Sequence, residues 1–413
     1  MFVAHLLLPV SLAKTLKILY LHQYFRTPEE GGATRSYYLA KALVDAGHQV
    51  VMLSAHNQAH YQQCTWEGIS VHYFPVYYGN QLSFWRRIKA FFAYARQVYR
   101  LVRSWNDIDW VYATSTPLTV GWLAYQLYRR KGWPYFFEVR DLWPQAPIEM
   151  GYLRFPFLPE YLYHWERKIY QNARQIIALS PGIQAYIQGR APSTPITFIP
   201  NFADIDFFLP SKEALPGNFS ASRPFIIAYT GTLGRANGME AWLEVIKCCP
   251  PPWQELVKWV WMGEGAEKDK LIAKAQQWNL RPLSFLEPQN KTAVKQTLEQ
   301  AQAALVSFQD WPVLQTTSPN KFFEALAAGK LLIVNTDGWL RELVEKHACG
   351  LYIPHTNPTS FWQQLGPYLE DTARLRQAQT NARALARQAF AAQDWQKVLV
   401  EIFASLSSPK TGS

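Results

Sequence analysis

The chain has 413 residues, of which 49% are apolar and 15% aromatic, and this composition excludes a disordered or low-complexity polymer. Such a length predicts two or three domains with sizeable cores. The net charge of +10 is uneven, because residues 1–200 hold 20 Lys and Arg against 11 Asp and Glu, whereas the rest holds 21 against 20. The basic half indicates a surface that meets an anion such as nucleic acid, acidic lipid or a phosphorylated substrate.

The four cysteines form no C-x-x-C pair, so neither a disulfide scaffold nor a cysteine zinc site is expected. Residues 1–15 are interpreted as an N-terminal extension, because their uncharged run is interrupted by Pro9 and is too short to span a bilayer. No transmembrane helix is expected elsewhere in the sequence.

Short β-rich runs alternate with helical patterns in the first half. Strands are predicted at residues 16–21, 49–55, 69–76, 110–114, 135–139, 175–179 and 196–199. Helices are predicted at residues 35–46, 84–102, 118–130 and 161–173. This alternation indicates βαβ units and a doubly wound parallel sheet.

The second half starts the same pattern again. Strands are predicted at residues 225–229, 256–262, 283–285, 303–308 and 331–335, and helices at 239–248, 266–278, 291–300, 321–328, 359–369 and 373–390. We therefore predict an α/β protein with two Rossmann-like domains facing a cleft. The domains are placed at residues 16–205 and 206–390, and residues 391–413 are expected to form a helix that packs back on the first domain, followed by a tail. Ligands of such sheets bind at the carboxyl ends of the strands.

Two glycine-containing loops each follow a predicted strand and precede a helix. In the first, Gly31 and Gly32 let backbone N–H groups approach an anion, and Arg35 lies one turn into the helix. In the second, residues 229–238 offer Gly231 and the nearby cation Arg235. The spacing of the second loop is neither that of a dinucleotide-binding motif nor that of a P-loop. The alternative for the first loop is a plain helix N-terminus with a flexible loop, and the alternative for the second is a tight βα turn.

A third candidate lies at the start of the helix at 321–328. Ser318 is expected to cap this helix, Lys321 can meet a phosphate, and Glu324 follows on the same face. A carboxylate there can accept both hydroxyls of a ribose. The alternative is a surface ion pair between Lys321 and Glu324.

A fourth candidate follows a buried strand, where Glu138, Arg140 and Asp141 run into a Trp-Pro loop. Charged side chains at such a place must be paired or functional. A structural ion-pair network is therefore the alternative to a catalytic group.

The helix predicted at residues 84–102 is basic, aromatic and amphipathic. Its cations include Arg86, Arg87, Lys89 and Arg96, and no acidic residue occurs between Gly68 and Asn106. This pattern is typical of helices that bind a membrane surface, and the alternative is a solvated face on a packed helix. No signature of a nucleic-acid-binding module is present, so nucleic acid is not expected as a partner.

Taken in order, these segments resemble the retaining GT-B glycosyltransferases of family 4, most closely the branch that builds bacterial O-antigen, capsule and exopolysaccharide repeat units. The resemblance covers residues 16–405. The strings that carry it are HQYF at His22, GGATRS at Gly31, AKALVDAGH at Ala40, VRDLWP at Val139, IPNF at Ile199, YTGTLGRANG at Tyr229, MGEG at Met262 and PNKFFEALAAG at Pro319.

The resemblance implies a nucleotide-sugar in the C-terminal domain and an acceptor in the N-terminal domain. Lys321 matches a diphosphate ligand, Glu324 matches the ribose ligand that ends the family's Glu-x7-Glu signature, and Asp141, with Arg140 and Glu138 beside it, takes the place of a polar catalytic-face residue. His22 and Arg35 are placed on the acceptor side. The full donor set is Gly31, Gly32, Gly231, Thr232, Arg235, Gly263, Glu264, Ser318, Asn320, Lys321 and Glu324.

The sequence departs from the family pattern at three places. Thr316 stands where the signature has its first Glu, which ordinarily touches the transferred sugar. A basic pair of the glycine loop is replaced by Thr232 and Asn237, so Arg235 and Lys321 are expected to compensate.

The acidic strings at 107–109 and 204–206 are interpreted as solvated acids, and a metal-independent reaction without a cofactor is expected.

We therefore predict a retaining hexosyltransferase that moves a sugar, first of all from a UDP-linked donor, to a lipid-linked or saccharide acceptor in cell-surface polysaccharide biosynthesis. It is expected in the cytoplasm, bound peripherally to the anionic surface of the inner face of the plasma membrane. Two alternatives remain open: a nucleotide-sugar 2-epimerase, and a non-catalytic nucleotide-sugar-binding partner of a membrane assembly complex.

Overall fold

The computed structural model describes residues 14–30, 32, 34–79, 82–153, 156–209, 219–287 and 290–407. Most of the predicted N-terminal extension and the predicted donor residue Gly31 lie outside these residues. The described chain folds into two α/β units, each built on one sheet, and the fold class predicted from the sequence is confirmed.

The first sheet has eight strands in the order β3-β4-β2-β1-β5-β6-β7-β8. Every pairing is parallel except that of β3 with β4. The strands are β1 (Lys17–Leu21), β2 (Gln49–His56), β3 (Gln62–Trp66), β4 (Ile69–Pro75), β5 (Trp110–Thr114), β6 (Tyr135–Val139), β7 (Gln175–Ala178) and β8 (Ile196–Phe198). The helices are α1 (Arg35–Asp45), α2 (Phe84–Val102), α3 (Leu118–Lys131), α4 (Gln145–Glu149), α5 (Leu158–Asn172) and α6 (Pro181–Arg190).

The second sheet has six parallel strands in the order β11-β10-β9-β12-β13-β14. The strands are β9 (Phe225–Thr230), β10 (Val257–Met262), β11 (Leu283–Leu286), β12 (Ala303–Val306), β13 (Leu331–Val334) and β14 (Gly350–Tyr352). The helices are α7 (Met239–Lys247), α8 (Lys268–Gln277), α9 (Lys291–Gln300), α10 (Asn320–Ala327), α11 (Trp339–Lys346), α12 (Ser360–Glu370), α13 (Thr372–Ala389) and α14 (Ala392–Ser407).

The antiparallel strand β3 was not predicted from the sequence. Its residues are polar and mostly exposed, so they lack the apolar run that identifies a buried strand. The hairpin depends instead on Glu67 and Gly68, which both adopt positive φ, as a two-residue turn between antiparallel strands requires.

The last helix, α14, crosses back to the N-terminal domain and packs against α1. Its Phe403 is fully buried, with ring centroids 4.9 Å from Phe136 and 6.4 Å from Tyr112 of the first sheet. Backbone bonds from Ala203 to Phe390 and from Ala392 to Ala203 tie this helix to the interdomain segment. The C-terminal segment therefore links the two domains.

Both sheets present the carboxyl ends of their central strands to the space between the domains. In the first sheet β1 lies beside β5, and in the second β9 lies beside β12, so the direction of chain winding reverses at these pairs. Loops that leave such strands form the binding crevices of parallel sheets.

Candidate active site

A cavity of about 440 Å³ lies at the carboxyl ends of β9 and β10. Residue 32, from the N-terminal domain, contributes to its wall, so the cavity lies at the domain junction. It brings together eight of the residues predicted to bind a donor: Gly32, Gly231, Thr232, Gly263, Glu264, Asn320, Lys321 and Glu324.

The floor of the cavity is made of glycine backbone in close contact. A Cβ at Gly263 would lie 1.8 Å from the carbonyl oxygen of Gly231, and a Cβ at Gly265 would lie 2.3 Å from that of Leu233. Gly231 N–H donates to the Met262 carbonyl at 3.0 Å, and Leu233 N–H donates to Glu264 at 2.8 Å. Only glycine permits the loops after β9 and β10 to meet this closely.

Lys321 extends its ammonium over this glycine floor. Its Nζ lies 2.9 Å from the Tyr229 hydroxyl and 4.2 Å from the centre of the same ring. A Cβ at Gly231 would lie 2.9 Å from that Nζ, so the glycine also makes room for the cation. An ammonium held beside the start of a helix is a site for phosphate oxygens.

Burial brings the pKa values of the two ionisable groups of α10, Lys321 and Glu324, close together. Burial lowers the pKa of Lys321 to about 7, although nearby Glu324 opposes this shift. Burial also raises the pKa of Glu324 to about 7, against the opposing charges of Lys291 and Lys321. Perturbed pKa values of this kind concentrate at functional sites.

Of the predicted donor residues that the structure describes, two do not line this cavity. Arg235 is exposed, stacks 5.3 Å from the centre of the Trp311 ring and donates to the Met150 carbonyl at 3.3 Å. Ser318 makes no capping bond to α10, and its hydroxyl instead accepts from the backbone N–H of Asn201 at 3.3 Å. Both residues bridge to the N-terminal domain, so we assign them to the domain junction and correct the expected helix cap.

Glu138 and Arg35 form a fully buried ion pair. Arg35 Nη2 lies 3.0 Å from Glu138 Oε2, and the exposed fractions of the two side chains are 2% and 0%. Tyr112 donates to the same carboxylate at 2.8 Å, and Arg35 also donates to the carbonyl of Ile199 at 2.9 Å. Both side chains are engaged in this network, so we replace the expected catalytic role of Glu138 and the expected acceptor role of Arg35 by the ion-pair network that the sequence left as the alternative.

Asp141 and Arg140 lie at the end of β6, on the N-terminal side of the cleft. The Asp141 carboxylate is exposed and accepts a hydrogen bond from Thr116 Oγ1 at 2.9 Å. Arg140 is half-buried, and its backbone N–H donates to Ser115 Oγ at 2.9 Å. His22 lies buried nearby, and burial together with the charge of Arg140 holds the pKa of His22 well below its usual range. The end of β6 therefore carries one exposed carboxylate and one cation, and the cation lies close enough to the buried His22 to help keep its imidazole neutral.

The basic helix α2 exposes one continuous stripe of side chains. Trp85 and Phe92 are 51% and 56% exposed, and Lys89 and Arg96 lie between and after them at helical spacing. Arg86 is exposed beside this stripe, whereas Arg87 is half-buried and donates to the Leu82 carbonyl at 2.9 Å. No helix in the described part of the chain is long and apolar enough to cross a membrane.

The sequence did not identify Lys291, which lines the donor cavity and pairs with Asp204. The prediction that Asp204 is a solvated acid is therefore wrong. The signal was present, because Lys291 follows Asn290 at the start of α9 as Lys321 follows Asn320 in α10. Within the described residues, no group of three His, Cys, Asp or Glu is arranged to hold a metal ion.

Both halves of the chain match known domain families. Residues 30–201 match the family described as a glycosyl transferase 4-like domain, and residues 211–385 match the family described as glycosyl transferases group 1. Among curated proteins no relative matches the sequence.

Solved structures share the two-domain architecture. Sucrose-phosphate synthase from Thermosynechococcus elongatus is 17% identical with a TM-score of 0.76, over 95% of this chain and 99% of that chain. The Anabaena protein HepE, solved in complex with UDP-glucose, is 17% identical with a TM-score of 0.69, over 94% and 100%. Trehalose 6-phosphate synthase from Burkholderia multivorans is 12% identical with a TM-score of 0.69, over 96% and 100%. At these identities the likeness establishes the fold, which is that of GT-B proteins.

Proposed function

We propose that this chain, a glycosyltransferase of the GT-B type by the family matches of both its halves and by its fold, transfers a sugar from a UDP-linked donor to a lipid-linked or saccharide acceptor with retention of configuration. The observation that carries the donor assignment is the position of Lys321 and Glu324 on one face of α10, above the glycine floor of the cavity. The complex of HepE with UDP-glucose supports uracil as the first base to test.

The donor cavity has the groups that a departing nucleoside diphosphate needs. Lys321 and the N-terminal end of α10 would neutralise the charge that develops on the diphosphate. Glu324 would accept the ribose hydroxyls as a bidentate carboxylate. A reaction that proceeds in this way without a metal ion or cofactor remains part of the proposal.

The acceptor would approach from the N-terminal domain. Asp141 is the exposed carboxylate on this side, and Arg140 lies beside it. In this arrangement Asp141 would orient the acceptor hydroxyl or receive its proton, and Arg140 would face the negative charge of the donor phosphates. We assign no covalent nucleophile.

The transferred sugar would be recognised differently from the family pattern. Thr316, which replaces the first Glu of the signature, lies against Gly182 of α6, and its carbonyl accepts a hydrogen bond from Ser180 Oγ at 2.5 Å. This position therefore serves the domain junction in this chain. Asn320 and the groups at the end of β6 are the remaining candidates for contact with the sugar.

The α2 stripe supports membrane association as part of this proposal. Exposed aromatic side chains can enter the headgroup region, while Arg86, Lys89 and Arg96 attract anionic lipid. A peripheral position at the inner face of the plasma membrane would bring the cleft to a lipid-linked acceptor, in agreement with a role in cell-surface polysaccharide biosynthesis.

The test is release of UDP from a panel of UDP-sugars, measured with and without lipid-linked and saccharide acceptors. The proposal requires UDP release that depends on an acceptor, and loss of that release in Asp141→Asn. UDP release without any acceptor, together with a changed sugar, would favour the epimerase. Donor binding without turnover across the whole panel would favour the non-catalytic binding partner. NMR of the product, with the anomeric configuration of the donor conserved, tests retention.

A further inference from the structure

Lys291 lies where three segments of the chain meet at the domain junction. Its side chain is only 7% exposed, and its Nζ lies 2.5 Å from Asp204 Oδ2 of the interdomain segment. The same Nζ lies 3.0 Å from the hydroxyl of Tyr38 in α1, and that hydroxyl donates to Asp204 Oδ2 at 2.8 Å. The three groups therefore form a closed triad that joins α9 of the C-terminal domain to α1 of the N-terminal domain.

Aromatic rings fix the position of this ammonium. Nζ lies 4.4 Å from the centre of the Phe207 ring and 5.0 Å from that of Tyr38. A cation held over aromatic faces and away from water has little freedom to move. The triad is thus a rigid anchor rather than a surface ion pair.

The triad adjoins the ribose side of the donor cavity. Lys291 lines the donor cavity and also a smaller neighbouring cavity, and Glu324 and Asn320 line both. Among charged neighbours, Lys291 has the largest effect on the carboxyl of Glu324, ahead of Lys321. The ammonium is therefore placed to act on the carboxylate that would hold the ribose.

We propose that Lys291 is a positioning residue for the donor ribose: anchored by Asp204 and Tyr38, its ammonium is held in the cavity wall beside Glu324 and favours a carboxylate at the ribose position. This inference rests on the proposed function, because it takes Glu324 as the ribose ligand. It makes donor recognition in the C-terminal domain depend on a contact that crosses to the N-terminal domain.

The charges around Glu324 predict that two substitutions shift its pKa in opposite directions. Among the described residues, the charged groups that act on Glu324 are Lys321 on its own helix, Lys291 on α9 and Asp204 on the interdomain segment. Arg35 and Tyr38 of α1 line the smaller cavity beside it. Lys291 lowers the pKa of Glu324, whereas Asp204 raises it. Removal of the charge of Lys291 should therefore make Glu324 ionise at higher pH, and removal of the charge of Asp204 should make it ionise at lower pH.

The experiment measures the affinity for uridine between about pH 5.5 and 8.5 by ligand-observed NMR. Uridine carries no phosphate, so it does not sense Lys321 directly. Affinity should rise as Glu324 ionises. The midpoint of that rise should move up by about one pH unit in Lys291→Met and move down in Asp204→Asn. Lys295→Met, one turn further along α9, is the matched control and should keep the wild-type midpoint.

Two further measurements separate the possible outcomes. 2′-Deoxyuridine should bind more weakly and lose most of the pH dependence. A merely structural role for Lys291 would lower the unfolding temperature without moving the midpoint, and an unchanged midpoint in Lys291→Met, or shifts of the same sign in both variants, overturns the inference. A wild-type protein that binds neither uridine nor UDP contradicts the proposed function itself.

Discussion

Gly182 and Thr316 meet across the domain junction so closely that a Cβ on Gly182 would lie 2.9 Å from Thr316 Cγ2. Gly182 belongs to α6 of the N-terminal domain, and Thr316 ends the short helical turn Pro312–Thr316 that precedes α10. Because Gly182 has no side chain, the two domains can touch at this point, which lies next to the helix that carries Lys321 and Glu324.

Gly182→Ala should reduce sugar transfer more than it reduces donor binding. The added methyl group must push α6 away from Thr316, and a displacement on the ångström scale between reacting groups costs about 10- to 100-fold in rate. The transfer rate and the affinity for UDP are measured together. Gly189→Ala in the same helix is the control, because nothing lies within 4 Å of its Cβ.

Rescue tests the cause of that loss. Thr316→Ser removes Cγ2, so adding it to Gly182→Ala should restore part of the transfer rate. A Gly182→Ala variant with the transfer rate of the wild type would show that this contact does not control the cleft.

Substitution of Glu138 should lower stability, whereas substitution of Asp141 should abolish sugar transfer. Glu138→Gln leaves Arg35 buried without its counter-charge, so we expect a loss of about 3–5 kcal/mol in the free energy of unfolding. Asp141→Asn alters an exposed carboxylate and should leave stability within about 0.5 kcal/mol of the wild type while abolishing transfer. Denaturant unfolding and UDP release measure the two effects. Wild-type stability in Glu138→Gln would contradict the buried network.

When UDP binds near pH 8, the protein should take up a proton. Burial lowers the pKa of Lys321 to about 7, so at about pH 8 the free protein holds this amine mostly neutral. A bound diphosphate favours the ammonium and raises its pKa, so a proton enters with the ligand. At about pH 6 the amine is already protonated, and this uptake should disappear.

Calorimetry in buffers of different ionisation enthalpy measures that proton. The uptake at about pH 8 should approach one proton per UDP and should be lost in Lys321→Met. Uridine should cause none, because it has no phosphate. Equal uptake in Lys321→Met and the wild type would assign the proton to another group.

The α2 stripe should bind anionic vesicles in a salt-sensitive way. Replacing Arg86, Lys89 and Arg96 by Gln should weaken vesicle binding by about 3 kcal/mol at low salt, since each cation near the surface contributes about 1 kcal/mol. Arg87 is left unchanged because it bonds to the Leu82 carbonyl. Flotation of vesicles with and without acidic lipid measures the effect.

The matched control replaces three exposed cations of α13 and α14, namely Arg376, Arg387 and Lys397, by Gln. This variant loses the same charge and should float as the wild type does. Equal flotation of the α2 variant and the wild type would contradict a membrane-facing α2.

The sequence predicted what depends on local pattern. Apolar strand runs alternating with helices identified the two α/β domains, and the i, i+3 spacing of Lys321 and Glu324 placed both on one face of a helix. The glycine after β9 was predicted from the strand-turn-helix pattern to lie at a ligand site, whereas Gly263 after β10 was expected there only from the resemblance to the family.

The sequence could not show which partner a charged residue meets across the fold. Glu138 pairs with Arg35, 103 positions away, and Lys291 pairs with Asp204, 87 positions away. Thr316 meets Gly182 only because the domains face each other. Such contacts depend on how the two sheets are placed relative to each other. The local periodicity of the sequence does not encode that placement.

The most direct test of the central claim is calorimetric titration of the wild type and of Lys321→Ala with UDP, GDP, dTDP and ADP. We expect one base class to bind the wild type, and UDP is the first nucleotide expected to do so. In Lys321→Ala that affinity should fall by about 10- to 100-fold, because a charge-assisted hydrogen bond contributes about 1.5–3 kcal/mol. Equal affinity in both proteins, or no binding of any nucleoside diphosphate by the folded wild type, would contradict a donor site built on α10.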